Sequence, residues 1–315
     1  MGEEGDKKAL SATEVRSTAE IGELPVPKIP APKLPAVMKK VEEKVDGKGW
    51  NTSKLGLRIG ADFVAAASAG VLVAPVITMI DRGIIENSSG RATLGASLKA
   101  SLSQMLLRPQ TFFFSRPFAL VAALYCGTYF TANSIDTASS TVQNKPVSST
   151  TAGTSKFVAT SSTNLALCLY KDNTFTKTFG DPAKAGAKVP PITFALFTIR
   201  DCLTIFASFN LPPLLSPHLD ARMSDEVKKY ISASSSAQFI TPAAVQLVST
   251  PLHLLGLDLF NRPGARWQDR AGIVVKNWGK SAFARMGRIV PAFGVGGVVN
   301  MKVRRGLMGR LEEGA

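Results

Sequence analysis

Long stretches of this chain carry no charged residue, and their spacing sets the first reading of its architecture. From Phe63 to Ile80 (FVAAASAGVLVAPVITMI) about eighteen residues pass without a charge, close to what crossing a bilayer core requires. The run predicts a transmembrane helix, whose Ala, Ser and Gly suit close helix packing in lipid and whose Pro75 introduces a kink. A second run (PFALVAALYCGTYFTANSI) lies between Arg116 and Asp136, with Phe112 to Phe114 ahead of it as interfacial aromatics. Between the two, Leu94, Leu98, Leu102, Met105 and Leu106 recur at helical spacing among Arg91, Lys99 and Arg108, the pattern of an amphipathic helix on the membrane surface.

The same alternation continues. A Ser- and Thr-rich linker from Asn133 to about Lys156 separates the first pair from a shorter, more polar third candidate, Phe157–Tyr170 (FVATSSTNLALCLY). The fourth span, Ile192 to about Pro212, is apolar except for Arg200 and Asp201 near its middle. After a polar segment from Asp220 to Gln238, a fifth span starts at Phe239 (FITPAAVQLVSTPLHLLGLDLF) and a sixth at Ile289 (IVPAFGVGGVV). Between them Trp267, Ala271, Val274, Val275 and Trp278 share a helical face amid Arg266, Arg270, Lys276 and Lys280. The predicted fold is an all-α membrane protein of about six transmembrane helices in three two-helix repeats, at about 56–140, 150–215 and 236–312, with surface helices between spans. Residues 51–312 make up this membrane domain. The Pro- and charge-rich residues 1–50 (with PVPKIPAPKLPAV) read as a disordered tail, too poor in apolar surface to offset the entropy of ordering.

Composition supports a membrane over a soluble domain: 45% of residues are apolar and the mean hydropathy is positive. The 37 basic and 23 acidic residues give a formal charge of +14, compatible with anionic lipid, small anionic substrates or nucleic acid. No nucleic-acid motif accompanies it, so no nucleic-acid partner is expected. Cys126, Cys168 and Cys202 lie in apolar runs and read as small buried hydrophobes. His218 and His253 are isolated, so no metal site is predicted. No catalytic triad, phosphate loop or paired catalytic carboxylates emerge, and Gly294, Gly296 and Gly297 fit close helix packing better than a dinucleotide loop. The chain is not expected to be an enzyme or to need a cofactor.

Two motifs carry a family resemblance. Ala284–Val295 (ARMGRIVPAFGV) is similar to the start of the sixth helix of the mitochondrial carrier superfamily, A-R-x-x-R-x-x-P-x-F-G-V. Phe197–Phe209 (FTIRDCLTIFASF) is similar to the fourth helix of carriers that move acidic amino acids. The chain thus resembles a divergent carrier over about Gly56 to Arg305, and resembles fungal mitochondrial membrane proteins of this type. The resemblance implies the mitochondrial inner membrane, and a central site in which Arg200, Asp201 and Arg288 bind a small carboxylate, amino acid or keto acid. The carriers' P-x-[DE]-x-x-[KR] gates are missing in their usual form: Ile77 follows Pro75, Asn164 lies in a stretch without proline, and His253 follows Pro251. Asp81, Asp172 and Asp258, with Arg82, Lys171 and Arg262, are the residues available for a displaced network.

Charge at bilayer depth demands partners, so Arg200 and Asp201 require a polar interior. Adjacent helix positions are about 100° apart, which disfavours a direct pair between them and sends each to a partner elsewhere, such as Asn164. Arg116 and Arg285 read as helix-end residues that snorkel to the headgroups. Two functions remain open: transport of a small anionic or zwitterionic metabolite, and a degenerate carrier serving as a membrane scaffold for protein partners.

Overall fold

The computed structural model describes residues 50–147, 153–184 and 186–313, all within one unit, Val45–Ala315. The predicted tail over 1–50 lies outside the described residues except for Trp50. Among the described residues the regular structure is helical throughout, without a strand. The helices are α1 (Leu55–Ser89), α2 (Leu94–Leu107), α3 (Pro109–Phe113), α4 (Arg116–Gln143), α5 (Gly153–Phe179), α6 (Pro191–Phe209), α7 (Leu211–Asp220), α8 (Asp225–Tyr230), α9 (Ala233–Asn261), α10 (Trp267–Gly287) and α11 (Gly297–Glu313).

The predicted runs become helices for local reasons. Helix α1 has 35 residues and ends at Gly90, whose φ of 78° places it in the left-handed region where glycine is favoured. Thr93 caps α2 by accepting a hydrogen bond from Ala96 N, Ser115 caps α4 through Phe118 N with Pro117 in the first turn, and Ser232 caps α9 through Ser235 N. Between α10 and α11 a π-helical segment, Val290–Gly296, replaces regular turns. Pro291 removes a backbone donor there, and the Tyr129 hydroxyl donates to the carbonyl of Ala292 at 2.5 Å.

Among the described residues, five helical stretches are long and apolar enough to cross a membrane: α1, α4, α6, α9, and the continuous run Trp267–Glu312. The chain is therefore an all-α, multi-pass membrane protein. Helix α5, at 27 residues, is long enough but too polar to count among them, as the polarity of Phe157–Tyr170 foretold. The helices pack in a closed order: α1 on α4, α4 on α5, α5 on α6, α6 on α9, α9 on α10, and α11 back onto α1.

The polarity of this bundle is inverted relative to a soluble protein. Val64, Val71, Leu72, Ile199, Phe206 and Val248 are exposed, while Arg58, Asp62, Asp81, Lys171, Asp172, Arg200, Asp201, His253 and Arg285 are buried. The contact of α1 with α4 is made by small residues. Ala65, Ala66 and Ala69 are completely buried, and a Cβ on Gly70 would lie 2.7 Å from the backbone nitrogen of Cys126. Gly296 is equally confined, since its Cβ would meet Tyr129 Oη at 2.5 Å.

Two boundaries differ from expectation. The stretch from Asn133 to Gln143, expected as linker, is the last part of α4, and its Asn133, Asp136, Thr137 and Ser140 are buried. Their polarity serves the interior of the bundle rather than solvent. The expected surface helix before the sixth span is not separate: α10 runs on from Trp267 past Trp278, whose Nε1 donates to the carbonyl of Leu247 at 2.8 Å. Helix α2 buries Ser97 and Ser101, sets Leu94 against Gly83, and leaves Leu102, Leu106 and Leu107 exposed.

Candidate functional site

The interior holds a chain of ion pairs that passes through five helical segments. It begins at Arg288, just beyond α10, whose NH1 lies 2.6 Å from Asp81 Oδ1 on α1. Asp81 also pairs with Lys171 on α5. Lys171 Nζ is 2.8 Å from Oδ1 of its neighbour Asp172, whose Oδ2 is 2.6 Å from Arg200 NH2 on α6. Arg200 then grips Asp201 with two bonds, Nε to Oδ1 at 2.9 Å and NH2 to Oδ2 at 2.7 Å. Its NH1 lies 2.7 Å from His253 Nδ1 on α9. A guanidinium can only donate, so Nδ1 accepts and the imidazole proton sits on Nε2.

Three basic side chains thus meet three carboxylates, and each of these six groups has an opposite charge beside it. Aromatic faces complete the surroundings: Lys171 Nζ lies 5.2 Å from the Phe175 ring centroid and Arg200 Cζ 5.0 Å from that of Phe197. Phe197 in turn sits against Gly256, where a Cβ would be 2.8 Å from its Cε1, so a glycine is what lets α6 carry Arg200 up to α9.

The structure brings Arg200 and Asp201 into one cluster and links Arg288 to it through Asp81 and Lys171. The direct Arg200–Asp201 pair corrects the expectation from helix geometry. The Cβ atoms diverge, but the three-carbon stem of Arg200 curls its fork back onto the next residue. Asn164 is not its partner; it accepts a 3.4 Å bond from Thr128. Of the residues available for a displaced network, Asp81, Lys171 and Asp172 take part in it. Asp258 instead pairs with Arg262 and Arg270 near the end of α9, and Arg82 with Glu86 on its own helix.

Arg285 corrects another expectation. It is only 3% exposed, and Nε donates to Gln246 Oε1 on α9 at 2.9 Å, so it faces the interior and does not snorkel. Its position three residues before Arg288, just under one helical turn, was the available signal, since both then face the same side.

A second polar layer lies nearer the start of α1. Arg304 of α11 holds Asp62 Oδ1 at 2.6 Å, Asn133 and Asn300 exchange bonds of 2.8 and 3.0 Å, and Thr137 donates to Asp62 Oδ2 at 2.5 Å. Next to it is a cavity of about 290 Å³ lined by Asn133, Lys156, Asn300, Arg304 and Arg305, among others. Among the described residues no group of three or more His, Cys, Asp or Glu has the arrangement of a metal site.

A family model described as a probable citrulline exporter matches residues 65–308, most of the chain. No curated protein sequence matches the chain. The family match overturns the resemblance to mitochondrial carriers. The two motifs behind that resemblance are short, and arginines beside a proline and glycines are what any polar-cored membrane helix with a kink presents. Three expectations fall with it: a divergent carrier that transports as carriers do, a degenerate carrier used as a scaffold, and a place in the mitochondrial inner membrane. The location rested on that resemblance alone; the multi-pass membrane character rests on the helices and stands.

Proposed function

The chain belongs to the probable citrulline exporter family, and from this premise we propose that it exports citrulline or a closely similar α-amino acid through the centre of its helix bundle. The observation that carries the proposal is the interior chain of ion pairs from Arg288 to Asp201. A static scaffold gains little from six buried charges, because equivalent apolar packing is often as stable. A transporter needs polar groups at bilayer depth that separate and re-form as solute passes.

In this reading Arg200, Asp201 and Arg288 border the solute and form part of a gate toward the Ser89 end of α1. The cavity beside Asn133 and Arg304 belongs to the opposite approach. Helix α5 is the sixth crossing: its Lys171 and Asp172 stand at the depth of Asp81 and Arg200, and α4 and α6 flank it. The six crossings then form three sequential pairs, α1 with α4, α5 with α6, and α9 with α10–α11.

Efflux of radiolabelled L-citrulline from preloaded proteoliposomes tests the proposal. Saturable efflux that unlabelled citrulline competes away is expected; efflux no faster than from protein-free vesicles, for citrulline and other amino acids alike, would sink it.

A further inference from the structure

Arg285 differs from the cations of the charged layer beside it. Lys171, Arg200 and Arg288 each have a carboxylate oxygen within 2.8 Å. Arg285 is 3% exposed, and its side chain makes one hydrogen bond among the described residues, from Nε to the neutral amide of Gln246. Its two terminal nitrogens, with four of the five guanidinium N–H groups, have no acceptor there. An unneutralised buried guanidinium is costly and rare, which makes its position informative.

Two more unmet groups lie alongside. Gln246 is held in place, accepting from Ser249 Oγ at 3.3 Å and donating from Nε2 to the carbonyl of Pro242 at 2.9 Å. The Arg285–Gln246 bond fixes the antiparallel register of α9 against α10. One turn further along each helix, that register sets Thr250 opposite Ser281. Both residues are completely buried, and both hydroxyl oxygens lack a hydrogen-bond partner. Buried polar atoms are nearly always satisfied, so several unmet ones together mark an absent partner.

We infer that Arg285 anchors the α-carboxylate of the transported molecule, with Thr250 and Ser281 in the same subsite. The inference rests on the reading of the chain as an amino-acid exporter and refines it. Arg200 and Arg288 already hold Asp201, Asp172 and Asp81, and a ligand carboxylate must displace one of these to bind there. Arg285 needs no displacement. Its planar fork has the geometry for a two-point grip on a carboxylate, and the ligand supplies the negative charge that this part of the interior lacks.

The test uses the full chain in proteoliposomes, with L-citrulline and its carboxamide, which lacks the carboxylate. Gln246→Glu places a carboxylate beside Arg285 with almost no change in shape. It is expected to keep or raise thermal stability while raising the KM for citrulline about tenfold or more, the scale of a lost charge-assisted hydrogen bond. Arg285→Gln is expected to erase the wild-type preference for citrulline over the carboxamide. If Gln246→Glu retains the wild-type KM and preference, or is markedly less stable, the inference is overturned while the exporter reading stands. A wild-type chain that moves no amino acid removes the exporter reading, and the inference with it.

Discussion

The two polar layers of the bundle are built on different principles. The layer around Asp62 joins α1, α4 and α11 mainly through amides and hydroxyls, with Asp62 paired to Arg304 at 2.6 Å and Asp136 paired to Lys156 of α5 at 2.6 Å. The layer around Asp81 lies 19 residues on, about 28 Å along α1 at the helical rise. It joins α1, α5, α6, α9 and the end of α10 almost entirely through charges. Asparagine pairs specify one arrangement of their helices and have little to exchange. A run of alternating charges can break at one link and re-form at another, because each member finds an opposite charge on either side. In the proposed transport cycle the first layer anchors the helices and the second rearranges.

The largest expected effect comes from cutting the charged layer at its centre. Asp172→Ala leaves Lys171 and Arg200 each short of a carboxylate, and a loss of about 3–5 kcal/mol in unfolding free energy is expected in detergent. A loss below about 1 kcal/mol would place water among these charges and weaken the contrast. Between the layers, Gly70→Val puts side-chain carbons where α1 and α4 touch through backbone. Overpacking of this kind costs about 1–3 kcal/mol, and transport in proteoliposomes is expected to fall while the Asp62 layer still holds the helix ends together. The smallest effect is expected from Asn300→Ala, which removes the pairing with Asn133 at about 1 kcal/mol. Transport rates should stay close to wild type; a large fall in rate at unchanged stability would show that the anchoring layer also moves.

Much of the fold was legible along the chain because lipid imposes a simple rule: a segment that crosses must be long, helical and apolar. Phe63–Ile80 and Phe239–Phe260 meet that rule by themselves and became α1 and α9. Asn133–Gln143 did not, because small polar residues look alike whether they face water or a polar interior. Arg200 and Asp201 stood out because charge in an apolar run is conspicuous. Lys171 and Asp172 drew less notice beside a segment that was already polar. Gln246 carried no signal, since one amide in an apolar stretch has no periodic or electrostatic mark. Arg285 reads as a surface residue from its place at a helix end alone; the contrary signal, its spacing of three from Arg288, carries weight only once Arg288 is known to face inward.

The order of residues by itself determined that the chain is helical, that it enters the membrane repeatedly, and that Arg200, Asp201 and Arg288 need polar company there. These follow from local length, hydropathy and the cost of burying charge, each a property of one segment. Only the tertiary structure decided which charges meet. Asp81 and Lys171 are 90 residues apart in sequence, and Asp81 and Arg288 are 207 apart. Their pairing depends on the closed packing of α1 against its neighbours. Arg285 was left with spare donors for the same reason: whether a buried charge is compensated depends on every helix around it.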